Sequence, residues 1–184
     1  GPFTISEKAD IKATTFMGEE PFGKTSYKEF NIHLATGKKI EYTTIWNPKY
    51  PGSGKGTLVN GLTGSANYRD GQWLGFEEDD IEVIIDLESE QEISSFRTQF
   101  NHKPASWVYL PEYVTVGVST DGVNFTEVVR VGDVEDKKTG INIYDQKFDT
   151  VKVRYVKVFA KNIAHRPNNV NQKAWVFIDE IIIE

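Results

Sequence analysis

Small and oxygen-bearing residues that could bind a hard cation are concentrated in residues 56–76, GTLVNGLTGSANYRDGQWLGF. The Asn-Gly pair at 60–61 permits a sharp turn, and Ser65 follows it closely. Calcium takes roughly six to eight oxygen ligands, many of them backbone carbonyls of a tightly curved loop. One loop rarely completes such a shell, so a carboxylate from elsewhere is needed, and Glu180 beside Asp179 is the candidate. The alternative is an ordinary turn with a solvated Asp-Glu pair, and the pattern alone favours that alternative.

Aromatic and basic side chains share several polar segments, a combination that suits sugar binding. A pyranose packs its apolar face on a flat ring, while Arg, Asn and His donate to its hydroxyls in fixed directions. The candidate ligand-binding residues are Trp46, Tyr50, Tyr68, Arg69, His102, Trp107, Tyr109, His165 and Arg166. For each there is an ordinary alternative, because lone histidines and arginines are usually surface groups and tryptophans usually pack.

The acidic run EEDD at residues 77–80 is the obvious place to look for catalysis. Glycosidases use two carboxylates roughly 5–10 Å apart, one of them with a raised pKa. Adjacent acids on an exposed turn do not readily desolvate one member, so we interpret this run as a solvated loop. The sequence shows neither a Ser/His/Asp set in a strand-turn-helix context nor a phosphate-binding loop, and it predicts a protein that is not an enzyme.

Composition narrows the possible partners further. The 184-residue chain carries a net charge of -6 with no basic cluster, which argues against nucleic acid and anionic membranes as partners. It has no cysteine, so thiol catalysis and thiolate metal sites are excluded. No apolar run approaches the roughly 20 residues of a membrane span, and no signal peptide is recognised. Gly1-Pro2 resembles the remnant of a cleaved expression tag, which predicts a longer native protein.

The elements that must position these residues are strands. Alternating or β-branched runs, separated by turn residues, occupy 30–46, 81–88, 93–100, 113–131, 151–163 and 174–184. The run at 113–131 predicts a hairpin around Asp121-Gly122. Helical periodicity is nearly absent, so the pattern predicts a β-sandwich or a barrel over residues 30–184. We expect residues 1–29 to be an extension, with an edge strand near DIKATTFMG and a connector in EEPFGKTSYKEF.

An ordered set of motifs resembles the coagulation factor V/VIII type C family. This discoidin family includes carbohydrate-binding module family 32. The motifs are LVNGLTGS, WLGF, VIIDLE, ISSFRTQF, SWVYLPEYVTVGVSTDGVNF, VRYVKVFAK and AWVFIDEIII. The chain looks most similar to modules on the C-terminal side of bacterial glycoside hydrolases, including β-hexosaminidases. The resemblance implies an all-β fold, an eight-stranded antiparallel jelly-roll β-sandwich of the galactose-binding type.

Many members of this family hold a structural calcium ion, and the resemblance implies its ligands here. They would be the carbonyls of Thr57, Leu62 and Asp179, the side chains of Asn60 and Glu180, and the hydroxyl or carbonyl of Ser65. The family usually has Asp at position 60, so the neutral Asn60 should weaken the affinity. Trp73 and Trp175 stand where the family keeps core rings, and we expect both to be structural.

The resemblance implies a non-catalytic carbohydrate-binding module. It would direct an attached glycoside hydrolase to galacto- or hexosamine-type glycans, in a secreted, periplasmic or cell-surface setting. The expected partners are a sugar and the catalytic domain of the same parent chain, and the module is expected to be a monomer. The alternative is a bracing or adhesion module that binds protein rather than sugar.

Overall fold

Strands make up 56% of the structure, a computed structural model that describes residues 3–132 and 137–184. Gly1 and Pro2, interpreted above as a tag remnant, lie outside the described residues. The strands are β1 (Ala9–Met17), β2 (Glu20–Phe30), β3 (Lys39–Tyr42), β4 (Leu74–Glu77), β5 (Ile81–His102), β6 (Val114–Ser119), β7 (Thr126–Val131), β8 (Gly140–Ala160), β9 (His165–Arg166), β10 (Asn169–Lys173), β11 (Trp175–Ile178) and β12 (Ile182–Ile183). The described residues form no α-helix, and two short 3-10 turns cover Thr57–Val59 and Pro104–Ser106. Accordingly, no helix in this part of the chain is long and apolar enough to cross a membrane.

Eight strands form one antiparallel ladder, with the order β4-β11-β5-β8-β6-β7 and with β3 and β12 also paired to β5. The long strands β5 and β8 run side by side from Ile81 opposite Ala160 to His102 opposite Gly140. Register shifts after Asp86 interrupt this pairing. Such irregularities bend a strand. The ladder therefore folds back on itself, and its two halves pack against a single core. The predicted eight-stranded antiparallel jelly roll is confirmed.

Alternation along β5 explains why the ladder folds this way. In its first half, Ile81, Val83 and Ile85 are fully buried, and the residues between them are half-exposed. Phe96 and Phe100 in its second half are also fully buried and belong to the same hydrophobic cluster. The segments predicted as separate strands at 81–88 and 93–100 are therefore one strand that serves both layers.

The β6–β7 hairpin turns where the sequence predicts. Gly122 has a φ of +75°, a region that glycine enters without a steric penalty. The Oδ1 atom of Asp121 accepts hydrogen bonds from the backbone nitrogens of Val123 and Asn124, each at 2.8 Å. A hydrogen bond from the Asn124 side chain, together with these backbone bonds, holds the pKa of Asp121 well below its usual range.

The N-terminal segment forms a separate hairpin, β1–β2, paired from Ala9 opposite Phe30 to Met17 opposite Glu20. The segment expected to be an edge strand is the strand β1, which pairs with β2 and not with the eight-stranded ladder. The expected connector is instead β2, because pairing to β1 satisfies its backbone although Pro21 and Gly23 weaken its strand signal. Nearly all of β2 is exposed.

Candidate functional site

The buried carboxylate of Glu180, two residues after the end of β11, accepts hydrogen bonds from the loop that precedes β4. The Oε1 atom of Glu180 accepts hydrogen bonds from the backbone nitrogen of Gly61 at 2.7 Å and pairs with Nε2 of His33 at 2.9 Å. Its Oε2 atom accepts from the backbone nitrogen of Asn60 at 3.0 Å. The side chains of Glu180 and His33 are 0% and 1% exposed. Burial raises the pKa of Glu180, and the hydrogen bond with His33 opposes that rise.

The neighbouring Asp179 carboxylate makes a parallel set of bonds. It accepts from the backbone nitrogens of Gly64 at 2.8 Å and Gln99 at 3.2 Å, and it is fully buried. Burial raises the pKa of Asp179 well above its usual value. Gly64 also lies against Trp73, and a Cβ there would stand 2.2 Å from the indole nitrogen. We call the place where this loop meets Asp179 and Glu180 the corner. It is built from two carboxylates, backbone N–H groups and the packed Trp73 ring.

The side-chain oxygens that were predicted to bind calcium already accept hydrogen bonds in this corner. Both oxygens of Glu180 face N–H donors, and Oδ1 of Asn60 accepts from the backbone nitrogen of Leu62 at 2.8 Å. The carbonyl of Ser65 accepts from the indole nitrogen of Trp73 at 3.0 Å. A cation needs oxygen lone pairs that converge on one point, and each of these oxygens already accepts a hydrogen bond from the protein.

Side chains at two of the predicted positions also form hydrogen bonds within the loop. The Thr57 hydroxyl, as distinct from the predicted carbonyl ligand, donates to the carbonyl of Gly54 at 2.7 Å. The Asn60 amide nitrogen donates to the Ser53 hydroxyl at 3.0 Å. Within the described ranges, no group of three or more His, Asp or Glu side chains is placed to hold a metal ion. The proximity of Asn60 to Glu180 follows the expectation, but the chemistry of their contact is a hydrogen bond.

A second cluster of buried rings covers the outer face of β11. It contains Tyr68, Trp73, Val108, Trp175 and Phe177, with Tyr50 and Ile141 packed against it. Trp73 and Trp175 are 1% and 8% exposed, so their predicted structural role is confirmed. The alternate residues of β11, Val176 and Ile178, face the main core.

A pocket of about 490 Å³ opens beside these rings. We define this aromatic pocket by its lining residues, Lys49, Tyr50, Pro51, Gly52, Tyr68, Arg69, Gly71 and Trp73. The rings of Tyr50 and Tyr68 meet edge to face with centroids 5.8 Å apart. The Arg69 guanidinium lies 5.5 Å from the Tyr68 ring centroid. A hydrogen bond with Tyr50 raises the pKa of Arg69.

Side-chain-to-backbone hydrogen bonds fold the loop that carries Tyr68 and Arg69. The Asp70 carboxylate accepts from the backbone nitrogens of Ser65 at 2.6 Å and Gln72 at 2.9 Å. Gly71 between them has a φ of +86°, which favours glycine. On the facing loop, the backbone nitrogen of Tyr50 donates to the Asn47 carbonyl, and the Tyr50 carbonyl accepts from the backbone nitrogen of Gly75 in β4. The Tyr50 wall of the pocket is thus tied to β4, and the Tyr68 wall is held by bonds within its own loop.

A second ring and cation meet at Trp107. The Trp107 ring is 47% exposed, and the Arg166 guanidinium lies 5.1 Å from its centroid. The backbone of Trp107 has a φ of +66°, an uncommon conformation for a bulky residue. Its carbonyl accepts from the nitrogen of Trp175 at 2.9 Å, and the nitrogen of Tyr109 donates to the Trp175 carbonyl at 2.8 Å. These bonds bring Trp107 and Tyr109 beside β11.

The structure leaves other candidate residues apart from these pairs. Trp46 packs edge to face on Tyr42 with centroids 4.9 Å apart, and it rests against the main core. His165 lies 3.6 Å from a carboxylate oxygen of Glu78. The His102 ring lies 6.4 Å from the Tyr109 ring, measured between centroids.

Sequence reasoning missed two lysines that border the aromatic pocket. Lys49 lies 5.6 Å from the Tyr50 ring centroid, and Lys103 lies 5.7 Å from the Tyr68 ring centroid. The position of Lys49 next to Tyr50 was a usable signal. Lys103 had none, because only the fold brings its loop to Tyr68.

A cleft of about 550 Å³ lies at the base of the β1–β2 hairpin. It contains the Lys8–Glu29 ion pair at 2.7 Å and the side chains of Arg97, Asp145 and Lys147. Its described lining offers no Phe, Tyr or Trp ring. The aromatic pocket, although slightly smaller, therefore has the better chemistry for a ligand with apolar faces.

Comparisons with known proteins agree with this architecture. Residues 24–181 match the family described as F5/8 type C domain. A comparison with curated protein sequences gives no match. Among solved structures, the chain is similar to CpGH89CBM32-6 produced by Clostridium perfringens, with a TM-score of 0.56 and 20% identity over 83% of this chain and 98% of that one.

Two further structures are similar in fold. A Streptococcus pneumoniae fucose binding module has a TM-score of 0.58 and 14% identity over 83% of this chain and 94% of that one. Chitosan-binding module 2 of a chitosanase/glucanase from Paenibacillus sp. IK-5, solved with chitotriose, has a TM-score of 0.52 and 17% identity over 82% and 98%. At these identities the likeness establishes a shared fold.

Proposed function

The chain belongs to the F5/8 type C domain family, and we propose that it is a non-catalytic module that binds a glycan in the aromatic pocket. The observation that carries the proposal is the meeting of Tyr50, Tyr68 and Arg69 at one pocket. The rings offer an apolar surface for a pyranose, and the guanidinium offers directed donors for its hydroxyls. The fucose- and chitotriose-binding relatives support a sugar ligand.

Within this proposal, the module serves a parent glycoside hydrolase that is secreted, periplasmic or on the cell surface. Weak binding to galacto- or hexosamine-type glycans would raise the local substrate concentration for an attached catalytic domain. The ligand-binding residues are those of the aromatic pocket, with Trp107 and Arg166 as a separate contact.

Calorimetric titration with galactose, N-acetylgalactosamine, N-acetylglucosamine, fucose and chitotriose tests the proposal. We expect micromolar to millimolar binding of at least one sugar. Arg69→Ala should weaken it roughly 10- to 100-fold, because a hydrogen bond to a charged group contributes about 1.5–3 kcal/mol. Arg130→Ala is a matched control, since Arg130 lies 4.8 Å from the ring centroid of Tyr113, away from the pocket. The absence of measurable binding to any sugar would refute the proposal.

A bracing role is the second candidate, and the β1–β2 hairpin is the observation that favours it. Phe16, Met17 and Phe22 are each more than half exposed there. Exposed apolar side chains in one hairpin suit contact with a protein neighbour. If no sugar binds, cysteines that replace Lys12 and Lys24 should form crosslinks to the parent catalytic domain.

A further inference from the structure

Three cationic side chains surround the two tyrosines of the aromatic pocket. Lys49 lies 5.6 Å from the Tyr50 ring centroid, while Arg69 and Lys103 lie 5.5 and 5.7 Å from the Tyr68 ring centroid. All three cationic residues are exposed. This concentration of positive charge occurs in a chain whose net charge is -6.

No carboxylate neutralises these cations among residues 3–132 and 137–184. The ion pairs of that part of the chain involve other lysines, arginines and histidines. Of the described residues that line the pocket, none is acidic. Asp70 follows Arg69 directly, but its carboxylate accepts hydrogen bonds from the backbone of Ser65 and Gln72. The cations are therefore available to an incoming anion.

We propose that the ligand of the aromatic pocket is a glycan that bears a carboxylate or sulfate group. This inference rests on the proposed sugar-binding function and names its substrate class. The sugar ring would pack on Tyr50 and Tyr68, and its charged substituent would meet Lys49, Arg69 or Lys103. A charged substituent gains attraction from all three cations, whereas a hydroxyl gains only a hydrogen bond.

The charge of the remaining chain limits the size of the anion. Outside these three cations the charge sums to -9, because the whole chain carries -6. A long polyanion would extend past the pocket and be repelled by the acidic surface. One or two charged groups on a short glycan fit the three cations better than nucleic acid or an extended sulfated polymer.

Matched sugar pairs that differ in one charged group test the inference. We would titrate the protein with galactose against galacturonic acid, and with N-acetylglucosamine against its 6-sulfate. The anionic member of at least one pair should bind 10-fold or more tightly at about 20 mM salt, and its advantage should shrink at about 300 mM salt because screening weakens exposed charges. The pair that shows the preference separates a carboxylate from a sulfate ligand.

Single substitutions test which cations bind the charged group of the sugar. Lys103→Ala should reduce binding of the anionic sugar at least 3-fold and leave the neutral sugar unchanged, and Lys49→Ala should weaken the anionic sugar at least 3-fold more than the neutral one. Lys28→Ala, an exposed lysine of β2, should change neither. Equal affinities within both pairs overturn the inference and leave the proposed function standing. Absence of binding by any sugar overturns both, and binding only to long sulfated polymers overturns the inference.

Discussion

Replacing Glu180 with alanine should destabilise the protein by about 3–5 kcal/mol. The carboxylate is 0% exposed and serves Asn60 N, Gly61 N and the His33 ring. Each buried donor left without a partner costs about 1–3 kcal/mol, but such costs are not additive. Because three buried groups lose their acceptor together, we take about 3–5 kcal/mol for the whole change.

Thermal unfolding followed by circular dichroism provides the assay. For a 184-residue chain, about 1 kcal/mol shifts the melting temperature by roughly 2–4 °C, so Glu180→Ala should melt roughly 6–20 °C below wild type. Glu180→Gln retains one acceptor and should lie between the two. Glu92→Ala is the control, because Glu92 is exposed on β5, and it should fall within about 0.5 kcal/mol of wild type.

The same experiment tests the absence of a calcium requirement. An ion present at about 100 times its Kd would add about 2.7 kcal/mol, so a chelator would lower the melting temperature by roughly 5–11 °C. Because both oxygens of Glu180 accept hydrogen bonds from backbone N–H groups, we expect the chelator to leave the wild-type melting temperature unchanged. A calcium-dependent rise of several degrees, or a Glu180→Ala protein as stable as wild type, would refute the reasoning.

Two further predictions concern packing and pH. Trp73→Ala should cost about 3–5 kcal/mol in urea unfolding because the ring is 1% exposed, whereas Trp107→Ala, with a ring 47% exposed, should cost about 1 kcal/mol or less; equal losses would contradict these roles. Hydrogen bonds from Arg154 hold the pKa of Asp86 below its usual value, so the stability from this pair is present above the unfolded-state pKa, near 3.9, and is lost as the pH falls through the folded-state pKa. Arg154→Ala should therefore destabilise the protein at neutral pH and have less effect near pH 2, and a cost that does not depend on pH would contradict this pairing.

The fold could be predicted largely because its signals are local. The alternation in 81–88, the Asp121-Gly122 turn and the ordered motifs each depend on neighbouring residues. The strand β2 was not predicted, because a glycine and a proline interrupt its pattern and its pairing with β1 compensates. The local sequence pattern thus predicts the eight-stranded ladder. It does not predict β2, which is held in place only by its pairing with β1.

The candidate site was predicted only in part, because it depends on distant contacts. The Tyr-Arg pair at 68–69 was identifiable from residue type. His33 was not, because its partner Glu180 lies 147 residues away and a lone histidine carries no signal of burial. Lys103 reaches Tyr68 only after Val108 bridges to Trp175, so its place beside the pocket is a property of the fold.

The alternation of β11 has a consequence for how this protein can diversify. Its rings at Trp175 and Phe177 support the pocket from below, while Lys49 and Arg69 are exposed loop residues outside the main core. Substitutions at those two positions can therefore change ligand preference without weakening the scaffold. A library randomised at these loop positions should yield many folded variants with altered selectivity, whereas one randomised at β11 should yield few.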